Sequence, residues 1–472
     1  MFTLFSDQWG RNCEGIHRRE LLRVGSLGMA GLTLSNWSRA KAESPTDFVR
    51  DKSIVILNLQ GGPTQIETFD PKMTAPSEYR AMFGETRTSL SGVTFGSHFP
   101  RLAAMADRLA IVRSYRHGIS SHGVAAKHVM AGGNSTGAQM GSIYARIAGM
   151  TNPETGMPVN SVVPPASLGE SYKKYGGAGD RVTSTGSLPA SYRPFDPSAG
   201  SELLNNMKLT IPENRLGDRR TLLGYLDRFK RNFEGTTTLQ GSEQFEQQAF
   251  DVILGGISNA FDMSNENPNL VERYDTSMYE IPQRLFDKRT AINKQLPVSH
   301  SPAALGRQML MTRRLLESGC RFITVTNNGW DMHGIHEYEI ADGMPLLGPA
   351  VDRAVSAFLE DLASRGMTDD VLLVITGEFG RTPRINKDLG RDHWGNLCTL
   401  AFAGGGLPMG QVIGKSDKNA AAPASDPISS SNLLGTIMHY LLDIGKVRLL
   451  SGIPTEISRA LEQSTPIREL IS

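Results

Sequence analysis

"SIVILNLQGG", residues 53 to 62, is an unbroken apolar run closed by two glycines. A strand buried on both faces loses the in-out alternation of a half-exposed strand, and glycines at its end let the chain turn sharply, so this stretch reads as a central parallel strand running into a loop. The same pattern recurs at "RFITVT" (321–326), at "DDVLLVITGEFG" (369–380) and at "LCTLAFAGGG" (397–406). Helical spacing fills the intervals. "PRLAAMADRLAIVRSYRHG" (100–118) reads as a helix and then a short strand, and "HGVAAKHVMAGG" (122–133) as a helix opening after Ser120 and Ser121 and closing at Gly132 and Gly133. "GRQMLMTRRLLESG" (306–319) and "LGPAVDRAVSAFLEDLASRGM" (347–367) read as amphipathic helices. Strands alternating with helices predict an α/β protein: three layers, with helices on both faces of a predominantly parallel sheet. In such sheets ligands bind at the carboxyl ends of the strands.

The 472 residues suffice for one large α/β domain. A loop-rich insertion is expected at about 150–240, where Gly, Pro, Ser and Asn dominate, and a mostly helical stretch at about 241–318. A formal net charge of +1, with 39% hydrophobic and 21% charged residues, gives no electrostatic case for nucleic acid. At the N-terminus, "HRRELLR" (17–23) precedes the mildly apolar "VGSLGMAGLTL" and the small-residue site "AKA" (40–42), the order of a twin-arginine signal peptide over 1–42 with a mature chain from 43 to 472. Export would place the protein in the periplasm or outside the cell. No later run reaches the roughly 18 apolar residues of a membrane span. Cys320 and Cys398 sit beside apolar strand-like runs and are expected as buried free thiols.

Three polar clusters end strand-like segments. The first is Asp331 and His333 in "GWDMHG", with His336 further on. The second is Glu378 and Arg381 in "TGEFGRTPRIN", and the third is Asp392 and His393 in "GRDHWG". Carboxylate and imidazole ligands on neighbouring loops suit a divalent cation such as zinc, manganese, magnesium or calcium. Aspartate and glycine also end strands simply because they make turns, but turn chemistry does not call for histidine beside them. His122 precedes a helix and is the histidine of its stretch expected in the site, whereas His128 is expected in packing. Arg381 either clamps an anionic oxygen or holds a carboxylate in a structural ion pair. Thr64 is expected to be a helix cap, the other reading being a hydroxyl that a helix N-terminus presents to an ester.

"RRELLRVGSLGMAGLTL", "LNLQGGPTQIETFDPK", "GWDMHG", "GEFGRTPRIN", "GRDHWG" and "GGGLPMGQVIGKSDK", in this order, resemble the secreted family named domain of unknown function 1501. More distantly the chain resembles the alkaline-phosphatase and sulfatase superfamily of parallel-sheet metalloenzymes. That resemblance implies metal ligands at Asp331, His333, Glu378 and His393, with Asp392 as a further ligand or a support. It implies Ser121 or His122 at the ester and Arg381 on its charged group. The sequence departs from the superfamily in two places: Gln60 stands where the first strand usually ends in a carboxylate, and Phe379 follows Glu378 where a second ligand is usual. The sulfatase "C/S-x-P-x-R" motif is absent. The expected activity is therefore hydrolysis of phosphate or sulfate esters, with an anionic ester or glycan as ligand. The alternative is an exported binding or scaffold protein on the same fold.

Overall fold

A computed structural model describes residues 11–12, 15–16, 47–199, 258–282, 284–285, 301–334 and 339–471. The chain divides into two units, Met1–Val49 and Arg50–Ser472. In the first, the described residues are 47–49 and a pair of two-residue antiparallel strands, Arg11–Asn12 and Gly15–Ile16. The expected twin-arginine segment, from Arg18 through Ala42, lies outside the described residues, as do residues 241–257, 283 and 286–300 of the expected helical stretch at 241–318; the described remainder holds the helices Ser258–Phe261, Pro268–Tyr274 and Leu305–Glu317.

The second unit is built on a seven-stranded sheet. Its strands are β1 (Ser53–Gln60), β2 (Leu109–Val112), β3 (Asn160–Val163), β4 (Phe322–Asn328), β5 (Val371–Thr376), β6 (Leu400–Gly404) and β7 (Gln411–Ile413), in the order β7-β2-β6-β5-β1-β4-β3. The opening stretch of the sequence is thus the interior strand β1, paired in parallel with β4 on one side and β5 on the other. Ile54 through Leu57 are at most 1% exposed, as expected for a strand covered on both faces. Each such side chain contributes about 1.5–3 kcal/mol through burial.

Five helices matter to the layers: α1 (His122–Met130), α2 (Met140–Ala148), α3 (Leu305–Glu317), α4 (Ile340–Ser364) and α5 (Ser430–Leu441). Helices α3 and α4 cover the face that presents Val55, Leu57, Ile323, Val325, Leu373 and Ile375, while α2 and α5 pack over the other. Helix α4 begins before the expected start and carries Pro345 and Pro349 internally. The prolines argue locally against helix, but burial of Ile340, Met344 and Leu347 against the core overrides them. Among the described residues, no helix is long and apolar enough to cross a membrane.

Two expectations are corrected. "LCTLAFAGGG" does not repeat the parallel pattern, because β6 runs antiparallel to both β2 and β5. No helix lies between β5 and β6 to carry the chain back across the sheet, and without a crossover the next strand must reverse. The expected insertion also contributes to the core: its short run Asn160–Val163 is β3, an edge strand parallel to β4. Four residues bounded by prolines are too short for periodicity to distinguish strand from loop.

Candidate functional site

The reversal of β6 determines what gathers at the carboxyl edge. Strands β1, β4 and β5 all end there, delivering Gly61 and Gly62, then Asp331 and His333, then Glu378 and Phe379. Because β6 is antiparallel, the segment before it also lies at this edge. There Gly380–Arg381 pairs antiparallel with His393–Trp394, with Arg381 directly opposite His393. Helix α1 adds His122 at its first position.

Asp331 is the centre. One carboxylate oxygen, Oδ2, lies 3.1 Å from His122 Nε2 and 3.3 Å from His333 Nε2. The other, Oδ1, lies 3.1 Å from His393 Nε2 and accepts a hydrogen bond from Arg381 Nη2 at 2.5 Å. Ligand atoms of His122, Asp331 and His393 fall within 4.8 Å of one another, the one group of this kind among the described residues. The second nitrogen of each of these two imidazoles is also occupied. His122 Nδ1 is 2.8 Å from Glu378 Oε1, and His393 Nδ1 is 3.2 Å from the Ser120 carbonyl oxygen. With an acceptor at each Nδ1, both rings turn Nε2 toward Asp331, where a bound cation would take the place of the Nε2 proton.

Glu378 is 1% exposed and is itself anchored, since the Gly61 N–H donates to both of its oxygens at 2.8 and 3.0 Å. A carboxylate so engaged orients His122 and does not face the centre as a ligand. Gly61 has φ +115, and a Cβ there would lie 2.4 Å from the Asp331 backbone nitrogen. The β1 loop and the Asp331 loop touch backbone to backbone, leaving no room for a side chain.

Arg381 is completely buried. Its Nε donates to the Gly62 carbonyl, Nη1 to the Arg391 carbonyl, and Nη2 to the carbonyls of Gly61 and Trp330 as well as to Asp331. Of the two roles open to it, the geometry favours the structural ion pair, because the guanidinium presents no face to solvent. Arg391, equally buried, braces the adjoining segment by donating to Glu67 Oε1 at 3.2 Å.

The electrostatics follow from this enclosure. Burial opposes ionisation of Asp331, but hydrogen bonds from His122, His333 and His393 and the charge of Arg381 outweigh it and hold the carboxyl far below the usual range. Burial likewise works against the His122 imidazolium, yet the hydrogen bonds and charges of Asp331 and Glu378 raise this group to about 9.

Of the other expected site residues, Asp392 is not brought into the group. It is exposed and accepts a hydrogen bond from Asn386 Nδ2 at 2.9 Å. Ser121 is the N-cap residue of α1, exposed, with no hydrogen bond from its side chain to the helix end. Thr64 is buried and accepts from the Ile66 N–H at 3.3 Å, capping a turn where a helix was expected. His128 packs against His117, with ring centroids 5.6 Å apart. His336 lies outside the described residues. The Ser120 carbonyl and the Gly61 N–H carry no sequence signal at all, since any residue supplies a carbonyl and almost any an amide.

A half-buried centre of one carboxylate and converging imidazoles, at the carboxyl edge of a mostly parallel sheet, defines a candidate cation site on an α/β fold. The chain belongs to the family described as "Protein of unknown function (DUF1501)", whose model matches residues 51–470. No curated protein matches it. Solved structures similar to it include Ps i-CgsB, with 11% identity over 88% of this chain and 77% of that one at a TM-score of 0.34. The PsFucS1 sulfatase from Pseudoalteromonas sp. shares 12% identity over 86% and 70% at a TM-score of 0.31. The phosphonate monoester hydrolase SpPMH from Silicibacter pomeroyi shares 11% over 88% and 75% at a TM-score of 0.30. Likeness at this level leaves the assignment of function to the site's own geometry.

Proposed function

We propose that the protein is an exported, metal-dependent hydrolase of phosphate or sulfate esters, with one divalent cation held by His122, Asp331 and His393. The observation that carries this reading is the orientation of two imidazoles: Glu378 and the Ser120 carbonyl lie at the two Nδ1 atoms, so both Nε2 atoms face Asp331. Two nitrogens and one carboxylate form a donor set that suits zinc and its neighbours, and His333 stands close enough to complete it. A bound cation supplies Lewis acidity toward an ester oxygen.

The chain's own residues supply the rest. Glu378 and Arg381 hold His122 and Asp331 in place from below. Ser121, exposed at the uncapped start of a nine-residue helix, presents its hydroxyl where backbone N–H groups favour an anionic ester. The twin-arginine signal over residues 1–42 is the proposed export route.

One observation favours the rival reading of a binding or scaffold protein. His122, Asp331, Glu378 and Arg381 already satisfy one another as an ion-pair network. Metal content of the purified protein, measured by plasma mass spectrometry beside a His393→Ala variant, separates the two. Near-stoichiometric metal that the variant loses supports the hydrolase, whereas a protein that takes up no metal after reconstitution is a closed ion-pair scaffold.

A further inference from the structure

The opposite edge of the sheet, where β2 and β5 begin and β6 ends, contains a cavity of about 210 Å³ lined by residues that the cation site does not use. Its floor is apolar: Leu359 and Leu362 of α4 and Val371 at the start of β5, all less than 9% exposed. Gly404, with φ +76, closes one wall, and a Cβ there would lie 2.6 Å from the Val371 carbonyl oxygen. Arg108, Ala363 and Thr368 line the cavity and are exposed, so they form its mouth. An apolar cavity of roughly 150 Å³ is enough to take up benzene and stay dry. This one is larger, and one side of its mouth is charged.

Arg108 is the only charged residue of the lining. Among the described residues its guanidinium has no ion pair or hydrogen bond, so its fork is free for a ligand. The Thr368 hydroxyl beside it is likewise unspent. A planar fork at the rim of an apolar hole matches a carboxylate whose tail enters the hole. We propose that this cavity binds a small monocarboxylate with an apolar tail, the carboxylate on Arg108 and Thr368 and the tail against Leu359, Leu362 and Val371. The proposal is independent of the cation site, which lies at the other edge of the sheet.

The test is isothermal titration of the full chain with octanoate, using octanol as the uncharged comparison. Stoichiometric binding of octanoate is expected, at least tenfold tighter than octanol. Arg108→Glu should weaken it at least tenfold, and Ala363→Trp, which plugs the mouth from an exposed position, should abolish it. Should either variant melt below the wild type, Arg108→Ala and Ala363→Phe replace them. Hydrogen exchange gives a readout that needs no variant, because octanoate should slow exchange at 359–371 and 404–405. No heat with the wild type, equal affinity for octanol, or binding that survives the plug would each overturn the proposal.

Discussion

Gly61→Ala tests whether the β1 loop and the Asp331 loop are held backbone to backbone. At φ +115 an alanine carries strain on the order of 1–3 kcal/mol. Its Cβ would also lie 2.4 Å from the Asp331 nitrogen and 2.8 Å from the Trp330 carbonyl carbon. No side chain can swing aside there, so backbone must move, at a further cost of about 1–3 kcal/mol. Together these predict a loss of about 2–6 kcal/mol, a fall in melting temperature of roughly 2–7 °C for a unit of this length. The control is Gly84→Ala. Gly84 has φ +82 but nothing within 4 Å of its Cβ, so only the conformational cost applies, roughly 1 kcal/mol. Both variants are melted by circular dichroism, and metal uptake is measured on each. Gly61→Ala should melt a few degrees below Gly84→Ala and take up less metal, because the same glycine anchors Glu378. Equal melting temperatures for the two variants would refute the close contact.

Three further outcomes are expected. Arg381→Lys keeps the charge but loses the fork that reaches four carbonyls, and should lower stability by at least about 3 kcal/mol in urea titration; a change under about 1 kcal/mol would contradict the structural role. Asp352 accepts from the Leu102 and Arg101 N–H groups, yet burial raises its carboxyl to about 6. The folded state therefore binds the proton more tightly than the unfolded chain, and this group's contribution to stability grows as pH falls from above 6 toward 4, by about 3 kcal/mol. Asp352→Asn should flatten the pH dependence in that window, and an unchanged profile would exclude the assignment. Burial pushes the thiols of Cys320 and Cys398 up to about 12, so peptide mapping after alkylation of the native protein should find both unmodified, and both labelled in denaturant.

Composition, periodicity and strand-end chemistry determined a good deal. They located the interior strand at residues 53 to 62, the helices around it, the two buried thiols, and the loops of Asp331, Glu378 and His393. Each of those signals is local, because a doubly buried strand is apolar throughout and an amphipathic helix repeats every 3.6 residues. What only the tertiary structure decided is which local pieces meet. It set β6 antiparallel, so that the segment carrying His393 reaches the same edge as Asp331. It put His122 between two carboxylates more than 200 residues away in sequence. It buried Arg381 against four carbonyls, moved Asp392 out of the group, and made a bare Gly61 amide the partner of Glu378. Backbone donors and strand direction leave no mark on side-chain identity, and a hydrogen bond between distant loops exists only once the sheet has brought them together.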